Sequence, residues 1–185
     1  GIDTVLCVTT GDCSNTVMLM EVLKLKGLKV IPFAYPDRPD IERMRRSLEA
    51  LAESLGTTLE MAETIREELK GSRELARELD ELTWGEGLVS GWENHLWLVS
   101  TSDFDRDYRW YEHRLRQFLA ECHRRQPYPQ DMLRLAYIGV PAVFASDLYR
   151  YLERHGARVV FNEVQRQFAM PQPGNSLAEQ YAHYT

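Results

Sequence analysis

A chain of 185 residues that is 44% hydrophobic and 27% charged can bury a sizeable core, as one large domain or as two small lobes. Its net charge of -6 and pI near 5.4 come from interspersed charges. No basic patch is present to neutralise nucleic-acid phosphates, which argues against nucleic acid as a partner. No apolar run approaches the roughly 20 residues that cross a bilayer, and the opening GIDTVLCVTT has neither a basic region nor a signal cleavage site, so membrane and secretory classes are set aside.

The first segment reads as a strand over Thr4–Thr10, a loop from Gly11 to Asn15, a helix over Thr16–Lys26 stopped by Gly27, and a strand over Lys29–Tyr35. This is a β-α-β unit. TVLCVTT is apolar and β-branched on both faces, as expected of a parallel strand buried between helix layers. Residues 40 to 130 read as mostly helical and highly charged. Thr57 with Glu60 offers a capping box for a helix towards Leu69, and Ser90 with Glu93 offers one for SGWENHLWLV. Asp103 or a neighbour can start the long helix that runs through Phe118 to His123. Pro127 and Pro129 mark the return to a second β-α-β unit, with a strand over Leu133–Val140, a helix over Ser146–His155 stopped by Gly156, and a strand over Ala157–Val164. Laying LMEVLKLKGLKVIPF over LYRYLERHGARVVFN aligns Leu19 with Leu148, Leu23 with Leu152, Gly27 with Gly156 and Val30 with Val159, which suggests a duplication.

The expected architecture is α/β: two Rossmann-like or flavodoxin-like lobes with parallel sheets, residues 1–38 and 131–185, joined by a helical region over 39–130. The cleft between the lobes is the expected site. The chain enters a strand almost at once, and SLAEQYAHYT stops partway through an amphipathic helix, so the natural protein is expected to be longer at both ends.

Thr9-Thr10-Gly11-Asp12-Cys13-Ser14-Asn15-Thr16 lies where a strand ends and a helix begins, the place where open α/β sheets bind ligands. A thiol at this point meets free backbone N–H groups and the positive helix end, which favour the thiolate for metal ligation or nucleophilic attack. The plainer reading makes Asp12, Ser14 or Asn15 a helix cap and Cys13 a small space-filler. A phosphatase loop needs an arginine six residues after its cysteine, where Leu19 stands, and a thioredoxin-like site needs a second cysteine where Thr16 stands. Neither is present. Phosphate binding by the Gly11 loop stays open, although it is neither a P-loop nor GxGxxG. The second unit has Ala142 opposite Cys13, so only one unit supplies a thiol, and Gly139 and Pro141 are read as shaping the turn.

With Cys13, the remaining thiols Cys7 and Cys122 make an odd, widely spaced set of three. They indicate neither a disulfide framework nor a self-contained zinc site, and they fit a reducing, cytoplasmic setting. Cys7 is read as core packing. Glu93 and His95, beside Trp92 and Trp97, could line a ligand, but capping by Glu93 and burial of the tryptophans are favoured. His113, His123, His155 and His183 are expected to be solvated. Glu163, at the end of the last strand, is either a site carboxylate or a loop-edge group.

VTTGDCSNTVMLMEVLKLKGLKVIPF, the helical stretch with SLEALAESLGTTLEMAETIREELKGSRELARELDEL and LVSGWENHLWL, and LRLAYIGVPAVFASDLYRYLERHGARVVFNEV together resemble subunits of the 2-hydroxyacyl-CoA dehydratase and benzoyl-CoA reductase family. The resemblance implies an oxygen-sensitive iron-sulfur subunit that pairs with a related subunit as a homo- or heterodimer. It also implies electrons received from an ATP-hydrolysing activator protein and a substrate that is an acyl-CoA thioester. In such enzymes one-electron chemistry allows loss of water from a 2-hydroxyacyl-CoA or reduction of an aromatic ring. Cys13 is the position that the resemblance makes a ligand of a [4Fe-4S] cluster, with Asp12, Ser14 and Asn15 shaping its loop. The family uses several cysteines per cluster, and no other such ligand is legible here. Either the remaining ligands lie outside this chain, or the chain is a divergent relative. The alternative is a binding or assembly module without a cluster.

Overall fold

The computed structural model describes residues 1–10, 14–141 and 146–183. They group into two compact units, Gly1–Glu68 with Gln172–Thr185 and Leu69–Pro171. Along the chain run β1 (Thr4–Thr10), α1 (Ser14–Leu25), β2 (Lys29–Ala34), α2 (Ile41–Ser54), α3 (Leu59–Glu68), α4 (Lys70–Glu81) and a π-helical turn over Leu82–Glu86. These are followed by α5 (Gly91–Val99), α6 (Tyr108–Cys122), β3 (Leu133–Tyr137), α7 (Ser146–Arg154), β4 (Ala157–Asn162), α8 (Glu163–Ala169) and α9 (Leu177–Ala182). Two parallel strand pairs, each joined by a helix, make the fold α/β, as the sequence predicts.

In the first unit β1 and β2 pair in parallel, Thr4 opposite Lys29 and Val8 opposite Phe33, and the register shifts before Thr10. A parallel pair cannot be closed by a tight hairpin, and α1 provides the crossover. The helix is stopped at Gly27, whose φ of +81° is the left-handed conformation that side chains resist. Asp40 caps α2 by accepting from the Arg43 N–H at 3.0 Å. Met44 and Leu48 of α2 then pack with Phe33 of β2 and with Ala178 and Ala182 of α9. Thr58 Oγ1 accepts from the Met61 N–H at 3.3 Å at the start of α3, one residue later than the predicted pairing of Thr57 with Glu60.

Burial of β1 differs from expectation. Within β1 only Cys7 is buried, while Leu6 is 48% exposed. Among the described residues β1 has a strand neighbour on one edge alone, and α1 buries none of its own residues. The strand is therefore covered at its middle rather than on both faces.

The second unit repeats the motif. β3 and β4 are parallel, Leu133 opposite Ala157 and Tyr137 opposite Asn162, and Gly156 ends α7 with φ +78°. The alignment that pairs Gly27 with Gly156 thus joins residues of like conformation in units of like topology. β3 stops at Tyr137, short of Val140, where the chain turns through Gly139. β4 stops at Asn162, after which Glu163 opens α8. The long helix α6 begins one turn later than expected. Asp107, not Asp103, caps it by accepting from the Arg109 and Trp110 N–H groups at 3.0 and 3.3 Å. Leu75, Leu79, Leu98, Tyr111, Leu115 and Leu119 form the main core of this unit. No described helix is long and apolar enough to cross a membrane.

Candidate functional site

At the carboxyl end of β1 the described residues stop at Thr10 and resume at Ser14, the first residue of α1. Gly11, Asp12 and Cys13 lie outside the described residues. Of the other predicted loop residues, Ser14 and Asn15 are exposed at the start of α1. Thr9 donates from Oγ1 to the Phe33 carbonyl at 3.2 Å, tying β1 to β2 just before the loop. A mostly apolar pocket of about 400 Å³ adjoins this end of the sheet, between Thr9, Phe33 and Ala34 on the strands and Ser47, Leu51 and Ser54 on α2. Beyond β2, Tyr35 stacks on Tyr181 of α9 with ring centroids 6.3 Å apart. Burial, with the neighbouring Tyr181, raises the Tyr35 phenol above its ordinary pKa, so it stays a neutral hydroxyl.

The densest polar cluster of the second unit lies around His95. His95 is 4% exposed and Asn94, Asn162 and Gln165 are fully buried, so each polar atom needs a partner. The Tyr149 hydroxyl donates to Asn162 Oδ1 at 2.8 Å. The Asn162 amide donates to Asn94 Oδ1 at 2.8 Å and to the Gly91 carbonyl at 3.1 Å. Asn94 in turn donates to Asp80 Oδ1 and Thr83 Oγ1, both at 3.1 Å. The chain of donors ends on the Asp80 carboxylate, which Arg166 meets through Nε at 2.8 Å. Burial raises the Asp80 pKa, and the attraction of Arg166 and the Asn94 hydrogen bond work against that rise.

The direction of this chain assigns the His95 tautomer. Tyr149 has one proton and gives it to Asn162, so at its 3.2 Å contact with His95 Nδ1 the phenol oxygen accepts and Nδ1 carries the hydrogen. The Gln165 side-chain amide also faces Nδ1, with its terminal atom at 2.6 Å. Turned so that its oxygen takes the place of the nitrogen at 2.6 Å, it too accepts from Nδ1–H, and the amide nitrogen moves to the buried position that has no partner. Nε2 is then the unprotonated nitrogen. The imidazole stacks on Trp92 at 4.9 Å, and burial pushes its pKa below the ordinary histidine value.

Glu93 caps α5 as predicted. It accepts from the Ser90 N–H at 3.0 Å while Ser90 Oγ accepts from the Glu93 N–H at 3.2 Å, and it also pairs with Arg125 at 2.9 Å. Burial would raise its pKa, but the hydrogen bonds from Arg125 and Ser90 outweigh it and the carboxylate is held below its usual range. Trp97 packs against Tyr111 and Phe118. Glu163 accepts from the Gly139 N–H at 2.9 Å and so holds the turn that follows β3. His113 and His123 lie on exposed helix faces beside Gln117 and Glu78, while His155 and His183 are exposed.

Cys7 is buried in β1 and Cys122 in α6, where burial pushes the Cys122 thiol up to about 11. Among the described residues no group of three or more His, Cys, Asp or Glu could hold a metal ion. Asn162, Tyr149, Gln165 and Asp80 were not singled out from sequence. The available signal was a polar residue closing the apolar run of β4 at a core-facing position, where binary patterning calls for an apolar one.

Neither a curated protein nor a solved structure gives a significant match to the chain. The family model described as 2-hydroxyglutaryl-CoA dehydratase, D-component, matches residues 1–185, the whole of it. On that match the chain belongs to the 2-hydroxyglutaryl-CoA dehydratase D-component family.

Proposed function

We propose that the protein is the iron-sulfur subunit of a 2-hydroxyacyl-CoA dehydratase-like or benzoyl-CoA reductase-like enzyme and acts on an acyl-CoA thioester. The observation that carries this reading is the family match over the whole chain. Cys13 is the residue proposed to bind a [4Fe-4S] cluster, with Asp12, Ser14 and Asn15 shaping its loop. The support is positional: the loop joins the end of a parallel strand to the start of α1, where the helix end favours a thiolate. Cys7 and Cys122 do not fit as ligands because both are buried within regular elements, so the remaining ligands come from outside the described residues. When bound, the cluster supplies one-electron transfer to the thioester substrate. A related subunit and an ATP-dependent activator protein are the proposed partners.

Anaerobic iron and sulfide analysis, with electron paramagnetic resonance of the reduced protein, tests this reading. Iron and acid-labile sulfide in equal amounts with a cluster signal are expected. Anaerobically purified protein with neither, and with no gain after reconstitution with iron and sulfide, overturns it.

A further inference from the structure

α1 lies on β1 and β2 and is half-buried there at Thr16, Met20 and Leu23. Its opposite face repeats Met18, Val22 and Leu25, a spacing that lines side chains along one stripe. Met18 is 68% and Leu25 89% exposed, and Val17, Leu19 and Val22 are exposed beside them. The helix carries charge only at Glu21 and Lys24, which pair with each other at 3.2 Å. A helix that is apolar all round is one that other structure covers on both sides, and contiguous exposed apolar side chains mark an interaction surface. Among the described residues nothing covers this face of α1.

The second unit shows that the position does not demand such a face. In the alignment that pairs Gly27 with Gly156, α7 has Asp147, Tyr151 and Arg154 where α1 has Met18, Val22 and Leu25, and all three are exposed. The crossover helix of one unit therefore presents charge to water, while that of the other presents hydrocarbon.

We infer that the outer face of α1 is the surface through which two copies of this chain pair as a symmetric dimer. A two-fold interface needs a patch that is complementary to itself. With two α1 helices antiparallel about an axis at Val22, Val22 meets its own copy, Met18 meets the partner's Leu25, and Glu21 meets the partner's Lys24, the last two contacts each made twice. The apolar stripe is then closed on both sides by opposite charges, as at the seam of paired helices. Because Glu21 and Lys24 cancel, the patch escapes the self-repulsion expected between copies of a chain with net charge -6. One helix face is small for an interface, so a reversible, concentration-dependent dimer is expected. This inference draws on α1 and not on the Cys13 loop, and it goes beyond the proposed activity by making the occupant of this face a second copy rather than a related subunit.

Sedimentation velocity over a concentration series, on the anaerobically prepared protein alone, tests it. A monomer-dimer equilibrium is expected, and Met18→Glu and Leu25→Glu should each raise the dissociation constant at least about tenfold, since each buries a charge without a partner. Lys24→Glu should weaken the dimer at low ionic strength, where exposed charges are least screened, and Glu21→Lys combined with Lys24→Glu should restore it. This charge reversal keeps the helix apolar stripe intact and so decides the matter even where a glutamate variant loses its circular dichroism signal. A protein that stays monomeric throughout, or that pairs only when a related subunit is added, overturns the inference. So does a dimer that Lys24→Glu and folded Met18→Glu leave unchanged. Iron content of the same samples keeps the two readings apart: a dimer without iron sinks the proposed activity alone, and an iron-loaded monomer sinks this interface alone.

Discussion

Asn162 shows how much of the second unit's interior hangs on one side chain. Its amide joins Tyr149, Asn94 and the Gly91 carbonyl, all buried. Asn162→Ala removes one donor-acceptor pair from three partners at once and leaves them without water. Each stranded group costs about 1–3 kcal/mol, so a loss of about 3 kcal/mol in urea denaturation is expected, with Tyr149→Phe costing less. A change below about 0.5 kcal/mol, the range of ordinary surface substitutions, would contradict the network.

His95 adds a pH dependence. Burial holds its folded pKa below the unfolded value, so its contribution is fully present above the unfolded pKa of about 6.5 and is lost as pH falls below it. Tyr149, Gln165 and Trp92 touch the ring, and none of them is a carboxylate that would stabilise the charged form. The urea midpoint should drop between about pH 7.5 and about pH 5.5, and drop less in His95→Gln; equal pH dependence in the two proteins would refute this. These partners were not legible in the sequence. The cluster at Trp92, Glu93, His95 and Trp97 was visible, but the residues that orient His95 come from α7, β4 and α8, and sequence spacing carries no information about which elements meet.

At the scale of elements, Gly91 fixes how closely α5 approaches β4. A side-chain carbon there would lie 2.6 Å from the Val159 carbonyl and 2.9 Å from Tyr149, and the backbone carbonyl cannot swing aside. Gly91→Ala should cost about 1–3 kcal/mol despite the better helix propensity of alanine, and a stabilised variant in thermal unfolding would overturn the packing account. Nothing in GLVSGWENHL distinguishes this glycine from a loop glycine. The Ser90–Glu93 cap in the same stretch was legible because both partners lie within four residues. The start of α6 was misplaced for a related reason: Asp103 and Asp107 are both competent caps, and the left-handed run Phe104, Asp105, Arg106 that separates them has no sequence signature.

At the scale of the whole chain, both β-α-β units were legible because apolar runs, glycine stops and parallel-strand composition are local signals. Burial of β1 was not, since it depends on what lies beside the strand rather than on what the strand contains. The proposed chemistry rests on the loop between β1 and α1. The most direct test compares the anaerobically prepared protein with Cys13→Ser, since serine keeps the size of the side chain but binds iron far less well than a thiolate. The account predicts a loss of iron, of the reduced-cluster resonance signal and of acyl-CoA turnover with the activator, while far-ultraviolet circular dichroism is retained. Wild-type iron content and turnover in Cys13→Ser would contradict it.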